Sequence, residues 1–344
     1  MKAIKNETEL NGFKKAMLTT SCTDALEMSA ILLDFKPGEE VIIPSFTFVS
    51  TANAFAIRGI KIVFADSEET SPNIDVSKIE ELITPATKAI AIVHYAGIAC
   101  DMEPLMKLTE KHGLHLIEDA AHSIDSFHKN RPLGTFGSLS AFSFHETKNV
   151  ISGEGGMLVL NDTGLVNRAE IIREKGTNRS AFFRGEVDKY NWVDIGSSFL
   201  PSDIIAAFLY AQLENLDMIQ KRRIFIWEQY YEALKGLAGE GFFTLPVIPE
   251  YAMNNGHMFY MICRSLGERQ ELIEYLKKND ILPTFHYQSL HKSPYFKDKH
   301  DGRELPNSDM FSERLLRLPL YYELPDEGVS FITSKIKEFY TAKK

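Results

Sequence analysis

Short apolar runs alternate with longer amphipathic segments through the first half of the chain. The apolar runs predict buried strands at 41–43, 62–65, 89–93 and 115–117. The amphipathic segments predict helices at 23–35, 49–58, 77–83 and 102–112. Phe142 and Phe144 alternate with small residues, which predicts another strand that breaks into a polar turn at Lys148. Strands and helices in this order predict an α/β fold with a mainly parallel sheet and helices on both faces.

A different pattern begins near Ser202. Apolar positions recur at helical spacing over 203–235 with few breakers, which predicts one very long helix, and such a helix usually connects two domains. Beyond it the pattern predicts strands at 257–263 and 281–285 and helices at 269–279 and 326–340. We therefore expect a large α/β domain over 1–220 and a smaller C-terminal α+β domain over 221–344.

Charge and cysteine content narrow the class of protein. The 344 residues include 38 basic and 47 acidic side chains, with a formal charge of −9 and no long basic tract, so nucleic acid is not expected as a partner. Cys22, Cys100 and Cys263 are far apart, which fits a reducing compartment and predicts neither disulfides nor a metal site. No apolar stretch is long enough for a membrane span, and no targeting segment opens the chain. We therefore expect a cytoplasmic protein without membrane contact.

Lys148 is the candidate nucleophile. An amine that follows a buried strand into apolar surroundings loses proton affinity, because desolvation disfavours the ammonium form. A neutral amine can attack a carbonyl, including the aldehyde of pyridoxal phosphate (PLP). A surface lysine in a loop is the alternative.

PLP requires three further features of a protein, and the sequence offers a candidate for each. Asp119 ends a predicted strand 29 residues before Lys148 and could keep the pyridine nitrogen protonated; a helix cap is the alternative. The turn at 20–23 opens a helix, whose N-terminus favours a phosphate, although Ser and Thr are also ordinary caps. Ser143 could add a hydroxyl to this phosphate. Phe48 could stack on the ring or be a core aromatic.

Six ordered motifs together resemble the DegT/StrS-type sugar-nucleotide aminotransferases, which are PLP enzymes of fold type I. The likeness runs from about Leu18 to the C-terminus, and the ordered set is far more specific than any one motif. The motifs are Thr-Ser-Cys-Thr-Asp-Ala-Leu at 20–26, Pro-Ser-Phe-Thr-Phe-Val-Ser-Thr at 44–51, His-Tyr-Ala-Gly at 94–97, Glu-Asp-Ala-Ala-His at 118–122, Ser-Phe-His-Glu-Thr-Lys-Asn at 143–149 and Gly-Glu-Gly-Gly at 153–156.

The resemblance implies a role for each cofactor residue. Lys148 would form the imine with PLP and move the proton, and Asp119 would partner the pyridine nitrogen. Phe48 would lie against the ring, and His122 beside its phenolic oxygen. The residues implied to hold the phosphate are Cys22, Thr23 and Ser143.

Within the family, the segments at 173–190, 192–199 and 314–320 resemble the branch that aminates C4 of TDP-4-oxo-6-deoxy-D-glucose for bacterial surface polysaccharide. L-Glutamate would supply the nitrogen. His286 and His291 are implied to face the sugar nucleotide, with solvent-facing loop histidines as the alternative.

Basic residues in the loop at 173–190 suit a nucleotide diphosphate in charge, and a solvated charged face is the alternative. They are Arg173, Lys175, Arg179, Arg184 and Lys189. The segment at 197–200 is implied to reach the cofactor of a neighbouring subunit, so we expect a homodimer with shared active sites.

The sequence departs from the family in two places. Leu200 stands where many relatives carry an Asn that contacts the partner's phosphate, so Ser202 or backbone would have to replace that contact. Only 18 residues precede Thr19, where relatives have a longer segment, and Met1 to Lys15 does not resemble it. The N-terminal segment is therefore expected to be either shortened or diverged, with weaker substrate binding or stability as the consequence.

Other functions remain open. Amination at C3 of a related keto sugar is compatible with the motifs. Lys148 counts against a 3-dehydratase, because those relatives replace the lysine with histidine. A non-catalytic binding or regulatory protein that keeps the fold is the third possibility.

Overall fold

The computed structural model describes residues 12–342. Its strands are β1 (Lys15–Thr19), β2 (Glu40–Pro44), β3 (Lys61–Ala65), β4 (Thr87–Val93), β5 (His115–Asp119), β6 (Phe127–His128), β7 (Arg131–Pro132), β8 (Leu139–Ser143), β9 (Gly156–Leu160), β10 (Phe243–Thr244), β11 (Ala252–Met253), β12 (Phe259–Cys263), β13 (Thr284–Phe285) and β14 (Leu315–Leu318). Its α-helices are α1 (Cys22–Leu32), α2 (Val49–Ala56), α3 (Met102–His112), α4 (Val166–Arg173), α5 (Arg179–Phe183), α6 (Asp203–Leu213), α7 (Leu216–Gly239), α8 (Leu266–Lys277), α9 (Pro306–Arg314) and α10 (Asp326–Thr341).

A seven-stranded sheet forms the centre of the described chain, in the order β1-β9-β8-β5-β4-β2-β3. The strands from β8 to β3 are parallel, and β9 and β1 add an antiparallel edge. The predicted α/β fold with a mainly parallel sheet is confirmed. Asp119 pairs with Ala141, so the carboxyl ends of β5 and β8 lie side by side. Ligands bind at such an edge in parallel sheets.

A four-stranded antiparallel sheet, β10-β12-β14-β13, has an apolar core of its own. Side chains from α7, α8 and α10 cover it, among them Tyr230, Leu272 and Ile336. Another apolar cluster joins Phe46 and Tyr95 to Tyr260 of β12. The division of the chain at residue 220 stays a prediction.

Three predicted elements differ in the structure. The long helix over 203–235 is wrong: α6 and α7 meet at Asn215, whose side-chain amide donates to the carbonyl of Ala211 and competes with helix continuation. The segment 77–83 forms two single 3₁₀ turns, not an α-helix. The strand over 281–285 shrinks to Thr284–Phe285, because Pro283 has no N–H to donate to the sheet.

The prediction about the shortened N-terminus falls mostly on residues 1–11, outside the described residues. The cysteines Cys22, Cys100 and Cys263 are all free thiols. Across residues 12–342, no helix combines the length and apolarity that crossing a membrane requires.

Candidate active site

A cavity of about 900 Å³ opens at the carboxyl edge of the large sheet. Strand ends, the starts of α1 and α2 and the segment 285–288 at the end of β13 contribute its walls. It brings together most of the residues singled out from the sequence, which are Cys22, Thr23, Phe48, Asp119, His122, Ser143, Lys148 and His286. The candidate nucleophile Lys148, the candidate acid Asp119 and the candidate phosphate site at the start of α1 therefore lie in one cavity.

Lys148 lies in the turn after β8, where its backbone N–H donates to the carbonyl of His145. The protein around the amine lowers the pKa of Lys148 to about 8, chiefly by desolvation, with a smaller contribution from the positive charge of Arg317. Cys22 and Asp119 oppose that decrease. About a tenth of Lys148 is therefore a neutral nucleophile at pH 7, against less than about 0.1% of an ordinary lysine.

Asp119 is buried at the end of β5. Its carboxylate accepts hydrogen bonds from the Thr51 hydroxyl at 2.7 Å and from the Ala121 N–H at 3.1 Å. Burial raises the pKa of Asp119, and the bond from Thr51 partly offsets that rise. Within residues 12–342, no basic side chain is within ion-pair distance of this carboxylate. A protonated pyridine nitrogen would supply the cation that it lacks.

Glu118, the preceding residue, has a different role, because successive side chains of a strand point to opposite faces. Its fully buried carboxylate accepts from the N–H groups of Gly134, Phe136 and Gly137. It also accepts hydrogen bonds from a serine hydroxyl and a histidine ring nitrogen. Although burial opposes ionisation, these bonds hold the pKa of Glu118 below its usual value. Glu118 therefore holds the loop at 134–137 in place.

The start of α1 forms an anion cradle. Ser21 caps the helix by accepting from the Asp24 N–H. The N–H groups of Cys22 and Thr23 stand in the first turn, where a helix offers no carbonyl partner. A Cβ on Gly156 of β9 would lie 2.2 Å from the Ser21 carbonyl carbon, so only glycine permits this close approach. A phosphate fits a helix N-terminus of this kind.

Two buried imidazoles form one wall of the cavity. His122 stacks on His257 with ring centroids 4.3 Å apart, and its Nδ1 accepts from the Ala96 N–H. Burial lowers the pKa of His122 and of His257 well below the usual value, and Lys148 adds to both decreases. Both rings are therefore neutral, and Nε2 of His122 carries its proton.

Phe48 stands at the mouth of the cavity with 54% of its surface exposed, and its ring is 6.0 Å from that of Tyr287. The open face is available to a flat ligand. Thr23 and Ser143 also line the cavity, and the hydroxyl of Thr23 is 2.8 Å from that of Ser50.

The structure does not bring every predicted substrate residue to the cavity. His291 is buried elsewhere, where its Nδ1 is 2.7 Å from the Ser45 hydroxyl and its ring borders a second cavity near Arg303. Arg184 pairs with Glu170 and Glu186 on the surface. Lys189 is also exposed and does not line the cavity of its own subunit.

Sequence reasoning missed four residues that the structure places at the site. Thr51 lies in the motif at 44–51 and Arg317 in the segment at 314–320, but neither position predicts a role at the site. His257 and Tyr287 carry no sequence signal of their own. For Arg317 the available signal was a charged residue within an otherwise apolar strand, Leu-Leu-Arg-Leu.

A poised amine, a buried carboxylate and a helix N-terminus in one cavity fit PLP, and together with the fold they define a PLP-dependent aminotransferase of fold type I. The chain belongs to the DegT/DnrJ/EryC1/StrS aminotransferase family, whose sequence profile matches residues 6–337. It is a PLP-dependent sugar aminotransferase.

The chain is similar to proteins from several bacteria. The spore coat polysaccharide biosynthesis protein SpsC of Bacillus subtilis is 33% identical over 340 residues, covering 95% of this chain and 86% of SpsC. The aminotransferase TlmJ from Streptoalloteichus hindustanus superposes with a TM-score of 0.91 at 26% identity, covering 100% of this chain and 92% of TlmJ. DesV of S. venezuelae, solved with a ketimine intermediate, superposes with a TM-score of 0.89 at 29% identity, covering 98% of this chain and 88% of DesV.

Proposed function

We propose that this enzyme moves the amino group of L-glutamate to C4 of TDP-4-oxo-6-deoxy-D-glucose, giving TDP-4-amino-4,6-dideoxy-D-galactose for a surface polysaccharide. The observation that carries the transfer is the pKa of about 8 at Lys148, in the same cavity as Asp119. The choice of sugar rests on the likeness of the segments 173–190, 192–199 and 314–320 to that branch of the family. The printed role of SpsC in polysaccharide biosynthesis agrees with the destination of the product.

Lys148 and Asp119 have different roles in proton transfer. When bound, PLP accepts the electron pair released at the carbon that carries the nitrogen. Lys148 Nζ takes a proton from the α-carbon of the donor and, in the second stage, delivers one to C4 of the sugar. Asp119, oriented by the Thr51 hydroxyl, holds a proton at the pyridine nitrogen.

The remaining site residues bind and orient. Cys22 and Thr23 present N–H groups to the phosphate, and Ser143 adds a hydroxyl beside them. His122 would donate its Nε2 proton to the phenolic oxygen of bound PLP, and Phe48 would stack on the PLP ring. We place the sugar nucleotide near His286, while contacts from Arg184 and Lys189 require a second subunit.

The test is product analysis. The purified enzyme is incubated with glutamate and TDP-4-oxo-6-deoxy-D-glucose, and the product is examined by NMR. We expect nitrogen at C4 in the axial, galacto orientation and none without glutamate. Nitrogen at C3 would replace this proposal with C3 amination. A protein that never takes up PLP colour would instead support the non-catalytic alternative.

We also propose that the active unit is a cytoplasmic homodimer with shared sites. Large apolar side chains are exposed on one stretch of the chain, with Trp192 at 81% and Ile204 at 82%. Leu200, between them, is also exposed, and the neighbouring Phe199 carbonyl accepts from the Thr20 N–H beside the anion cradle. Exposed apolar surface of this kind is typical of a subunit interface. Free thiols at all three cysteines fit a reducing compartment.

A further inference from the structure

Arg317 lies on β14, an interior strand of the four-stranded sheet. It pairs with Tyr260 of β12 on one side and Thr284 of β13 on the other. Leu316 and Leu318, its neighbours along the strand, are buried in the apolar core of that sheet. The guanidinium reaches the opposite way, into the wall of the Lys148 cavity. A rigid strand therefore fixes the direction of this cation.

The charge of Arg317 has no anion in the described chain. From residue 12 to residue 342, no carboxylate is within 4.0 Å of the guanidinium. Its Nε is buried from solvent and has no hydrogen-bond partner among residues 12–342. Burial of a charged group without a counter-ion is costly, so an incoming anion would complete this site.

His286 holds the guanidinium in place without neutralising it. Its Nε2 is 2.9 Å from Nη1 of Arg317 and accepts that hydrogen bond. Burial and the neighbouring charges of Arg317 and Lys148 lower the pKa of His286 to about 2, so the imidazole stays neutral. Its Nδ1 proton is then directed to the Tyr95 hydroxyl at 3.2 Å. No other residue of the described chain accepts a hydrogen bond from Arg317, so its remaining N–H groups are available to a ligand.

The reaction brings two kinds of anion to the enzyme. The diphosphate of a sugar nucleotide is attached at C1, across the sugar ring from the reacting C4, so it lies far from the amine when C4 is near Lys148. The α-carboxylate of an amino acid is attached directly to the carbon that reacts. Arg317 lines the same cavity as Lys148 and is near enough to contribute to its lowered pKa. An anion bound by Arg317 would therefore lie close to Lys148, where the α-carboxylate of the amino donor is expected and the diphosphate of the sugar nucleotide is not.

We propose that Arg317, positioned by His286, binds the α-carboxylate of the amino donor and so selects an α-amino acid for the first stage. A guanidinium fork matches a carboxylate bidentately. The inference rests on the proposed aminotransfer, but it holds whichever carbon of the sugar receives the nitrogen.

The test separates the two half-reactions of the holoenzyme. Arg317→Met and Arg317→Lys are mixed with L-glutamate, and the decay of PLP absorbance is followed in a single turnover. We expect kcat/KM for glutamate to fall roughly 10- to 100-fold in Arg317→Met, the loss typical of a charge-assisted hydrogen bond, with a smaller loss in Arg317→Lys. The same variants loaded with pyridoxamine phosphate should lose distinctly less in the amination of the keto sugar than in the glutamate stage, since the sugar stage has no donor carboxylate.

Arg314→Met is the matched control. Arg314 also has a buried, unpartnered Nε, but it borders the second cavity, away from Lys148. This variant should keep wild-type glutamate kinetics, and a thermal melt of each variant checks folding. Losing only the sugar stage, losing both stages equally or losing neither would refute the role of Arg317. A wild-type enzyme that ignores glutamate would refute the proposed donor as well, whereas amination at C3 would refute only the proposed product.

Discussion

At the scale of single residues, Lys148 and Asp119 lie at neighbouring strand ends, whereas the side chains that contact them come from distant parts of the chain. Lys148 and Asp119 follow predicted strands, and the edge of a parallel sheet brings such residues together. Thr51 and Arg317 reach the site through contacts with distant parts of the chain, the former across 68 residues to Asp119. No local pattern encodes such distances. The same limit explains why His291 was expected at the cavity and is found packed against Ser45.

The pKa of Lys148 predicts how cofactor capture depends on pH. Only the neutral amine attacks an aldehyde, and a pKa of about 8 makes roughly half of the lysine neutral at pH 8, against less than about 1% for an ordinary lysine. The rate at which the apoenzyme takes up PLP should therefore rise with pH and level off above about pH 8. Stopped-flow absorbance measures it, with Lys148→Ala as the blank. A rate that still climbs steeply near pH 10 would contradict the lowered pKa.

Asp119→Asn tests the acid at the pyridine nitrogen. The amide oxygen can keep the hydrogen bond from the Ala121 N–H while its NH2 group donates to the Thr51 hydroxyl, but the substitution removes the negative charge that holds a proton on the ring. We expect kcat to fall on the order of 10²- to 10³-fold with little loss of thermal stability. Thr51→Val, which keeps the carboxylate and removes only its orienting bond, should cost distinctly less. Equal losses in both variants would mean that orientation, not charge, is what matters.

At the scale of elements, periodicity located most helices and parallel strands, but it did not reveal where they stop or pair. The residues of α6 and α7 follow one helical pattern, but the helix breaks at Asn215, whose backbone leaves helical geometry and whose side chain donates to the carbonyl of Ala211. Strands β1 and β9 were missed, because their antiparallel pairing joins segments about 140 residues apart. That pairing matters for function, since it presses Gly156 against the start of α1.

Gly156→Ala tests this contact. The added methyl would meet the Ser21 carbonyl carbon at 2.2 Å and push β9 away from the anion cradle. We expect a lower Tm and weaker PLP binding, measured by thermal melts and by titration of the apoenzyme.

Gly236→Ala is the control for that substitution. Gly236 lies in α7 with nothing within 4 Å of an added Cβ, so alanine there should leave PLP affinity unchanged and stabilise the helix by about 0.5–1 kcal/mol. If Gly156→Ala binds PLP as tightly as Gly236→Ala, close approach at the cradle is not required.

At the scale of the whole molecule, the order of elements predicts the α/β class and the mainly parallel sheet. It does not predict which apolar side chains are exposed on the surface. Phe183, Trp192 and Ile204 would each be counted as core residues from their chemistry, yet the structure exposes them. A single chain leaves this apolar surface uncovered, and a second copy is the partner that we propose for it.

Complementation tests the shared site. Lys148→Ala should lack the nucleophile, and Leu200→Asp should damage the neighbour's site through the exposed segment at 197–200. Co-expression of the two variants in one cell should restore up to about a quarter of wild-type activity, because half of the dimers are mixed and each mixed dimer contains one intact site. Light scattering should give the mass of a dimer. No recovery, together with a monomer mass, would contradict shared sites.

Asn149, next to Lys148, ties the reactive turn to remote parts of the protein. Its amide donates to the side chain of Gln220 on α7 and to the carbonyl of Asn255, and its oxygen accepts from His257. The position of Lys148 therefore depends on Gln220, which does not line the cavity. In a directed-evolution library, changes at Gln220 should therefore alter turnover although this side chain does not line the cavity, so efforts to broaden the range of accepted sugars should leave that position fixed.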